Sequence, residues 1–67
     1  MKHLYKVDID GKFSGRWVEN LDTLRVVANG DIYKAIRKAE RTAMKRYDNI
    51  QAVRVTGIQQ VAEVDAV

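Results

Sequence analysis

The sequence predicts an α+β fold: a small antiparallel sheet of three to four strands with one amphipathic helix packed on one face, ordered β-β-(β)-α-β. Three observations carry this. Residues 31 to 47, DIYKAIRKAERTAMKRY, repeat apolar residues at helical spacing. Tyr5, Val7 and Ile9, and later Leu24, Val26 and Ala28, alternate with polar residues at the period of a half-buried strand. The closing segment AVRVTGIQQVAEVDAV is rich in valine, lacks a helix start or stop, and reads as strand again. One helix across one face of such a sheet is the simplest way to bury one apolar stripe against one apolar face.

The elements follow in order. Tyr5, Val7 and Ile9 face one side of a first strand and Lys6, Asp8 and Asp10 the other. Asp10-Gly11 supplies residues that tolerate positive φ, so the first hairpin turn is expected there. Phe13, Gly15 and Trp17 then share one face of a returning strand, with Ser14, Arg16 and Val18 on the other. Asn20 to Asp22 reads as a break before a third strand, or as a bend within one long strand. Asn29-Gly30-Asp31 stops the strand and starts the helix, with Asn29 or Asp31 able to accept from the first free amides. Ile32, Ile36, Ala39, Ala43 and Tyr47 gather on the inward side. Lys45 and Arg46 complement the negative end of the helix dipole, and Asn49 fits a left-handed cap. Beyond it, Val53 and Val55 alternate until Gly57, after which Val55, Ile58, Val61, Val64 and Val67 recur every third residue. That slip predicts a bulge or tight turn at Thr56-Gly57, giving one bent strand or two short ones.

Sixty-seven residues make one domain, residues 1–67, with no repeat, no proline and no linker. A chain this short buries only about 60% of the surface its unfolded form exposes. Small scaffolds of this kind are commonly stapled. There is no cysteine, and one histidine cannot complete a zinc site without several carboxylates, so no metal and no cofactor is expected. Self-association as a homodimer is the remaining route to further burial. No apolar run approaches a membrane span, and MKHLYKVDID lacks the apolar core of a signal peptide, which predicts a soluble, cytoplasmic chain.

Formal charge is unevenly placed. The total is +3, yet residues 34 to 47 carry six basic residues against Glu40 alone. Residues 1 to 33 balance, and residues 48 to 67 are mildly acidic. On the helix, Lys34, Arg37, Lys38, Arg41 and Lys45 fall opposite the apolar stripe. Lysine and arginine are good helix formers, so a plain solvated face accounts for part of this. The other reading is that like charges at such spacing repel and are kept for an anionic partner, a phosphate backbone or an acidic protein surface; each pair costs only a few tenths of a kcal/mol, so the two readings weigh equally. With few Asn or Gln on the ridge for base reading, nucleic-acid contact there is expected to be largely non-specific.

Catalytic vocabulary is sparse. Asp8, Asp10 and Glu19 sit near calcium-loop spacing, but Phe13 occupies the required glycine position, and Lys12 and Arg16 replace oxygen ligands; a hairpin turn with solvated carboxylates explains them better. His3 has only Lys2 and Lys6 as near neighbours, neither of which orients a catalytic imidazole. Ser14 lacks a nucleophile context, and Gly11, Gly15, Gly30 and Gly57 are too scattered for a phosphate loop. An enzyme is not expected. Trp17, Phe13 and Tyr5 fit a stacking platform for bases, although core packing explains the same spacing with fewer assumptions. A Trp17 exposed and turned away from the helix would favour the platform.

Leu24-x-Val26-x-Ala28, Asp31, Ala35-Ile36-x-x-Ala39, Val53-x-Val55-x-x-Ile58 and Val64 form a pattern over residues 23 to 65. It resembles small accessory proteins of phages and mobile elements, some anti-CRISPR proteins among them, which pack a helix on a small antiparallel sheet. The resemblance lies in core positions and transfers no functional residue. It implies a stoichiometric binder that blocks or redirects a larger host nucleic-acid-handling or defence complex. The expected function is therefore protein-protein interaction of that anti-defence type, with direct phosphate-backbone binding through helix 31–47 as the alternative.

Overall fold

The structure, a computed structural model, describes residues 2–64. Two strands, β1 (Lys2–Phe13) and β2 (Arg16–Asn29), are followed by one helix, α1 (Ile32–Arg46), and a last strand, β3 (Ala52–Val64). The sheet order is β2-β1-β3, and β1 runs antiparallel to both neighbours. The α+β architecture with a helix on one sheet face is as expected, with three strands. Of the alternatives left open by the sequence, residues 16–29 form one long strand rather than two, and residues 52–64 form a single strand.

The first turn is not at Asp10-Gly11. β1 runs on to Phe13, and the chain reverses through Ser14-Gly15, at φ 49° and 78°, so that Phe13 pairs with Arg16. Positive φ at both central residues is what a tight two-residue hairpin requires to match strand twist. The turn is clasped from outside, because Gly15 N–H donates to Oε1 of Gln51 at 2.9 Å. Asp10-Gly11 lies instead at a bulge: Ile9 pairs with Asp22 but Gly11 with Val18, leaving Glu19, Asn20 and Leu21 opposite Asp10. Asn20 takes up the extra length at φ 52°, a conformation its short amide side chain tolerates. The expected slip at Thr56-Gly57 is present, since Asp8 pairs with Gly57 and Ile9 with Val55; a second shift follows at Val61. Bulges of this kind add local bend and twist to the strand that carries them. Val67, the last of the threefold series, lies outside the described residues.

Val7 and Ile9 at the centre of β1 are fully buried, joined by Tyr5, Leu24, Val26 and Ala28. The helix contributes only Ala35, Ala39 and Ala43, all wholly buried and spaced four apart, so that α1 lies close against the sheet. Helical period alone puts Ile32 on this face, but it is 44% exposed, and Ile36 is half-buried. The stripe is centred on Ala35 rather than on the isoleucines. Where large strand residues fill the interface, alanine on the helix keeps the volume constant.

Both helix ends are held by side chains or backbone. Asp31, not Asn29, is the N-cap, its carboxylate accepting from Tyr33 N–H at 2.9 Å, while Gly30 makes the preceding bend at φ 75°. The C-cap is Tyr47 in extended conformation, donating its N–H to Ala43 O at 3.0 Å. Asn49 is not left-handed as expected; Ser14 and Asn20 are the non-glycine residues at positive φ among those described. Gly11 is required by space, not by φ: a Cβ there would lie 2.5 Å from Leu21 Cδ2 and 3.1 Å from both Ile50 and Phe13. Those residues, with Phe13 edge-on to Tyr47 at 6.2 Å between ring centroids, close the far end of the core.

Candidate functional site: a basic helix and an uncovered sheet face

Two surfaces emerge from this arrangement. The first is the outward side of α1. At 100° per residue Lys34, Arg37, Lys38, Arg41 and Lys45 fall within an arc of about 100°, and all five are exposed. From Lys34 to Lys45 the strip runs about 16 Å at the rise of an α-helix. Shallow open grooves follow it, one lined by Lys38, Arg41, Thr42 and Lys45, and another by Lys34, Arg37, Lys38 and Arg41 with Ala28 and Asn29 of β2.

The five predicted residues are thus brought together, but they are not equivalent. Lys38 reaches down to β2 and its Nζ donates to the carbonyl of Val27. β2 is an edge strand, whose unpaired backbone invites further pairing, and a lysine over it blunts that edge. Arg46, just off the strip, is turned to Asp22 on β2 at 3.1 Å. Lys34, Arg37, Arg41 and Lys45 make no ion pair among the described residues. Beside the strip, Tyr33 is 70% and Met44 53% exposed.

The second surface is the sheet face that α1 leaves uncovered. The three-ring platform does not exist. Phe13 packs against Tyr47 and Tyr5 is buried in the core, both on the helix side, whereas Trp17 pairs across the strands with Lys12 and lies on the other face. The reason is the turn: with Phe13 opposite Arg16, odd positions of β1 share a face with even positions of β2. Trp17 is 39% exposed; the Arg54 guanidinium sits 4.4 Å from its ring centroid and Lys12 Nζ 6.0 Å.

Arg54 is fixed from its other side. Its Nη2 and Nε donate to Oδ2 of Asp10 at 2.7 and 3.2 Å, while Oδ1 of Asp10 accepts from Asn20 N–H at 3.0 Å. Asp10 is only 3% exposed, so it is not the solvated turn carboxylate expected from the sequence. These bonds, the Arg54 guanidinium foremost and the Asn20 amide next, hold its carboxyl below the ordinary range. Asp8 on the same face accepts from the Thr23 hydroxyl at 2.7 Å. Further along, Lys6 and Arg25 are direct cross-strand partners, both exposed.

Trp17, Lys12 and Arg54 were not legible as a group, because the pairings that assemble them join residues far apart in the chain. His3 has a neighbour that the local sequence could not supply: its Nδ1 lies 3.0 Å from Gln60 Nε2. Among the described residues no three His, Cys, Asp or Glu gather as a metal site, and no helix is long and apolar enough to cross a membrane. No protein family, curated protein or solved structure matches this chain.

Proposed function

We propose that this chain is a non-enzymatic cytoplasmic binding module that docks the outward side of α1 onto the phosphate backbone of nucleic acid. The observation that supports this best is the unbroken strip of Lys34, Arg37, Arg41 and Lys45, without an ion pair among the described residues, along one side of a rigidly capped helix. Like charges held together on a stable element repel one another, and a polyanion relieves that repulsion while releasing its own counterions. Such contacts position the protein without reading sequence.

The test is fluorescence anisotropy with a labelled mixed-sequence duplex over a range of salt. Binding should weaken steeply with salt, and each phosphate that is no longer neutralised should reduce the slope by about 0.9. Arg37→Glu with Arg41→Glu should therefore flatten the slope by about two such steps and cut affinity at low salt. Lys38 is left intact in this variant because it also guards β2. Absence of binding to any duplex at low salt would sink the proposal.

Exposed Tyr33 and Met44 beside the strip favour a second reading, an acidic face on a larger protein complex, as the resemblance to phage anti-defence proteins implies. Under that reading, Tyr33→Ser with Met44→Ser abolishes capture of a protein partner from nuclease-treated host lysate, and the duplex does not bind. A homodimer belongs to the same proposal, with β3 as the second edge of the sheet; light scattering that gives a monomer at every concentration removes it.

A further inference from the structure

We infer that the uncovered sheet face is a second, separate site, for single-stranded nucleic acid, in which Trp17 with the Arg54 guanidinium stacks a base while Lys12, Lys6 and Arg25 hold phosphates. Three observations carry it. The sole tryptophan of the chain is on this face, not in the core, with two-fifths of its surface open. A tryptophan used only for stability in so small a protein gains most by facing the helix, where Phe13 and Tyr5 already are. Arg54 is held over the ring by its bonds to Asp10, so the indole and the guanidinium together form an aromatic-cationic surface, and unpaired bases stack on guanidinium planes as well as on aromatic rings.

Lys6 and Arg25 supply the third observation. Like charges directly opposite each other across two strands destabilise a sheet, and neither residue has an ion pair among the described residues. An anion between them turns that repulsion into attraction. The distance along β1 from Lys6 to Lys12 is about 20 Å at the rise of an antiparallel strand, room for several nucleotides of extended chain. The face carries opposing carboxylates: Asp10 is neutralised by Arg54 and buried, whereas Asp8 and, by strand alternation from Trp17, Glu19 are exposed. These two therefore limit affinity, and Asp8→Asn should tighten binding.

A duplex keeps its bases stacked and cannot use Trp17, so the ligand is a single strand. This reading does not depend on the helix strip, which lies on the other side of the sheet, and the experiment separates the two. Trp17 is its own reporter: titration with oligo-dT at low salt should quench its emission, whereas an equal length of duplex should not. By anisotropy, Trp17→Ala should weaken oligo-dT binding about fivefold or more and Trp17→Phe much less. Lys6→Glu with Arg25→Glu, both at exposed positions, should weaken binding and lower its salt dependence. Arg37→Glu with Arg41→Glu should leave the quenching in place.

Unchanged emission at saturating oligo-dT overturns the inference, as does quenching that disappears with the helix variant. If Trp17→Ala fails to fold, the Lys6→Glu and Arg25→Glu pair decides alone, and undiminished quenching in that variant overturns it too.

Discussion

The phenol of Tyr47 donates to the carboxylate of Asp22 at 2.8 Å, joining the C-terminal end of α1 to the bulged part of β2. Arg46 adds a second bond to the same oxygen at 3.1 Å, and Thr23 N–H binds the other oxygen at 2.8 Å. The Tyr47 hydroxyl, followed by these donors, holds the Asp22 carboxyl below its ordinary range, and the same bond, with burial, raises the Tyr47 phenol.

The two shifts act at opposite ends of the pH scale. Asp22 is depressed, so its stabilisation is present above the ordinary carboxylate range and is lost as pH falls through its folded value. Tyr47 is raised, so its stabilisation is present below the ordinary tyrosine value and is lost as pH rises through the higher folded value. Tyr47→Phe should lower the melting temperature by about 5 °C at neutral pH and flatten both limbs of a melting-temperature profile. A profile parallel to that of the parent chain would show that the bond does not act as described.

Asp10 predicts a different profile, with an acid limb only. Because Arg54 and the Asn20 amide depress it, its contribution is full above the ordinary carboxylate range and disappears as pH falls through its folded value. Asp10→Asn should therefore be less stable than the parent at neutral pH, and the gap should close on acidification. Circular-dichroism melts in a pH series measure this. A gap that persists unchanged at the acid end means that shape, not charge, is what Asp10 supplies.

The alanine stripe of α1 is set by distance. Ala39→Leu forces a larger side chain into a closed interface and should cost about 1–3 kcal/mol. Ile32→Ala, on the other hand, removes a side chain that is 44% exposed at the edge of the interface and should cost less, about 1 kcal/mol or below. Urea unfolding midpoints give both values, and the reverse ranking would place the inward face where the isoleucines lie.

Gly11 and Leu21 should behave as a coupled pair. Gly11→Ala brings a methyl within 2.5 Å of Leu21 Cδ2, and the half-buried leucine must move to accept it. We expect a loss of about 1–2 kcal/mol, partly recovered when Leu21→Ala is added, with an interaction energy of at least about 0.5 kcal/mol in the double-mutant cycle. Strict additivity would show that the close approach is not what the glycine serves.

These residues also show what can be read from the chain alone. The helix is legible because its apolar period, its Asp31 cap and its basic last turn all agree within seventeen residues. Thr56-Gly57 is legible because a bulge breaks an alternation that is visible locally. The first turn is not. Asp10-Gly11 is a stronger local signal than Ser14-Gly15, and what overrides it is Arg54, which claims the Asp10 carboxylate from 44 residues away. Placing the turn at Ser14-Gly15 changes which residues share a face and carries Trp17 out of the core set. The one local hint is Asn20, a residue type that accepts positive φ within an otherwise extended segment. For the strip on α1, period suffices to group the five basic residues, but the Val27 carbonyl that engages Lys38 belongs to another element.

The order β2-β1-β3 has a consequence in time. The central strand of the sheet is made first and acquires its second neighbour last, through pairings that run from Lys12 with Ala52 to Lys2 with Val64. Until β3 has been synthesised, the β1–β2 hairpin exposes the open backbone of β1, and Val7 and Ile9 lack part of their cover. Distant pairings of this kind slow folding, because the chain loses loop entropy before any contact compensates. A nascent chain of this protein is therefore most open to misassociation just before its last strand emerges, and a stalled ribosome leaves it in that state.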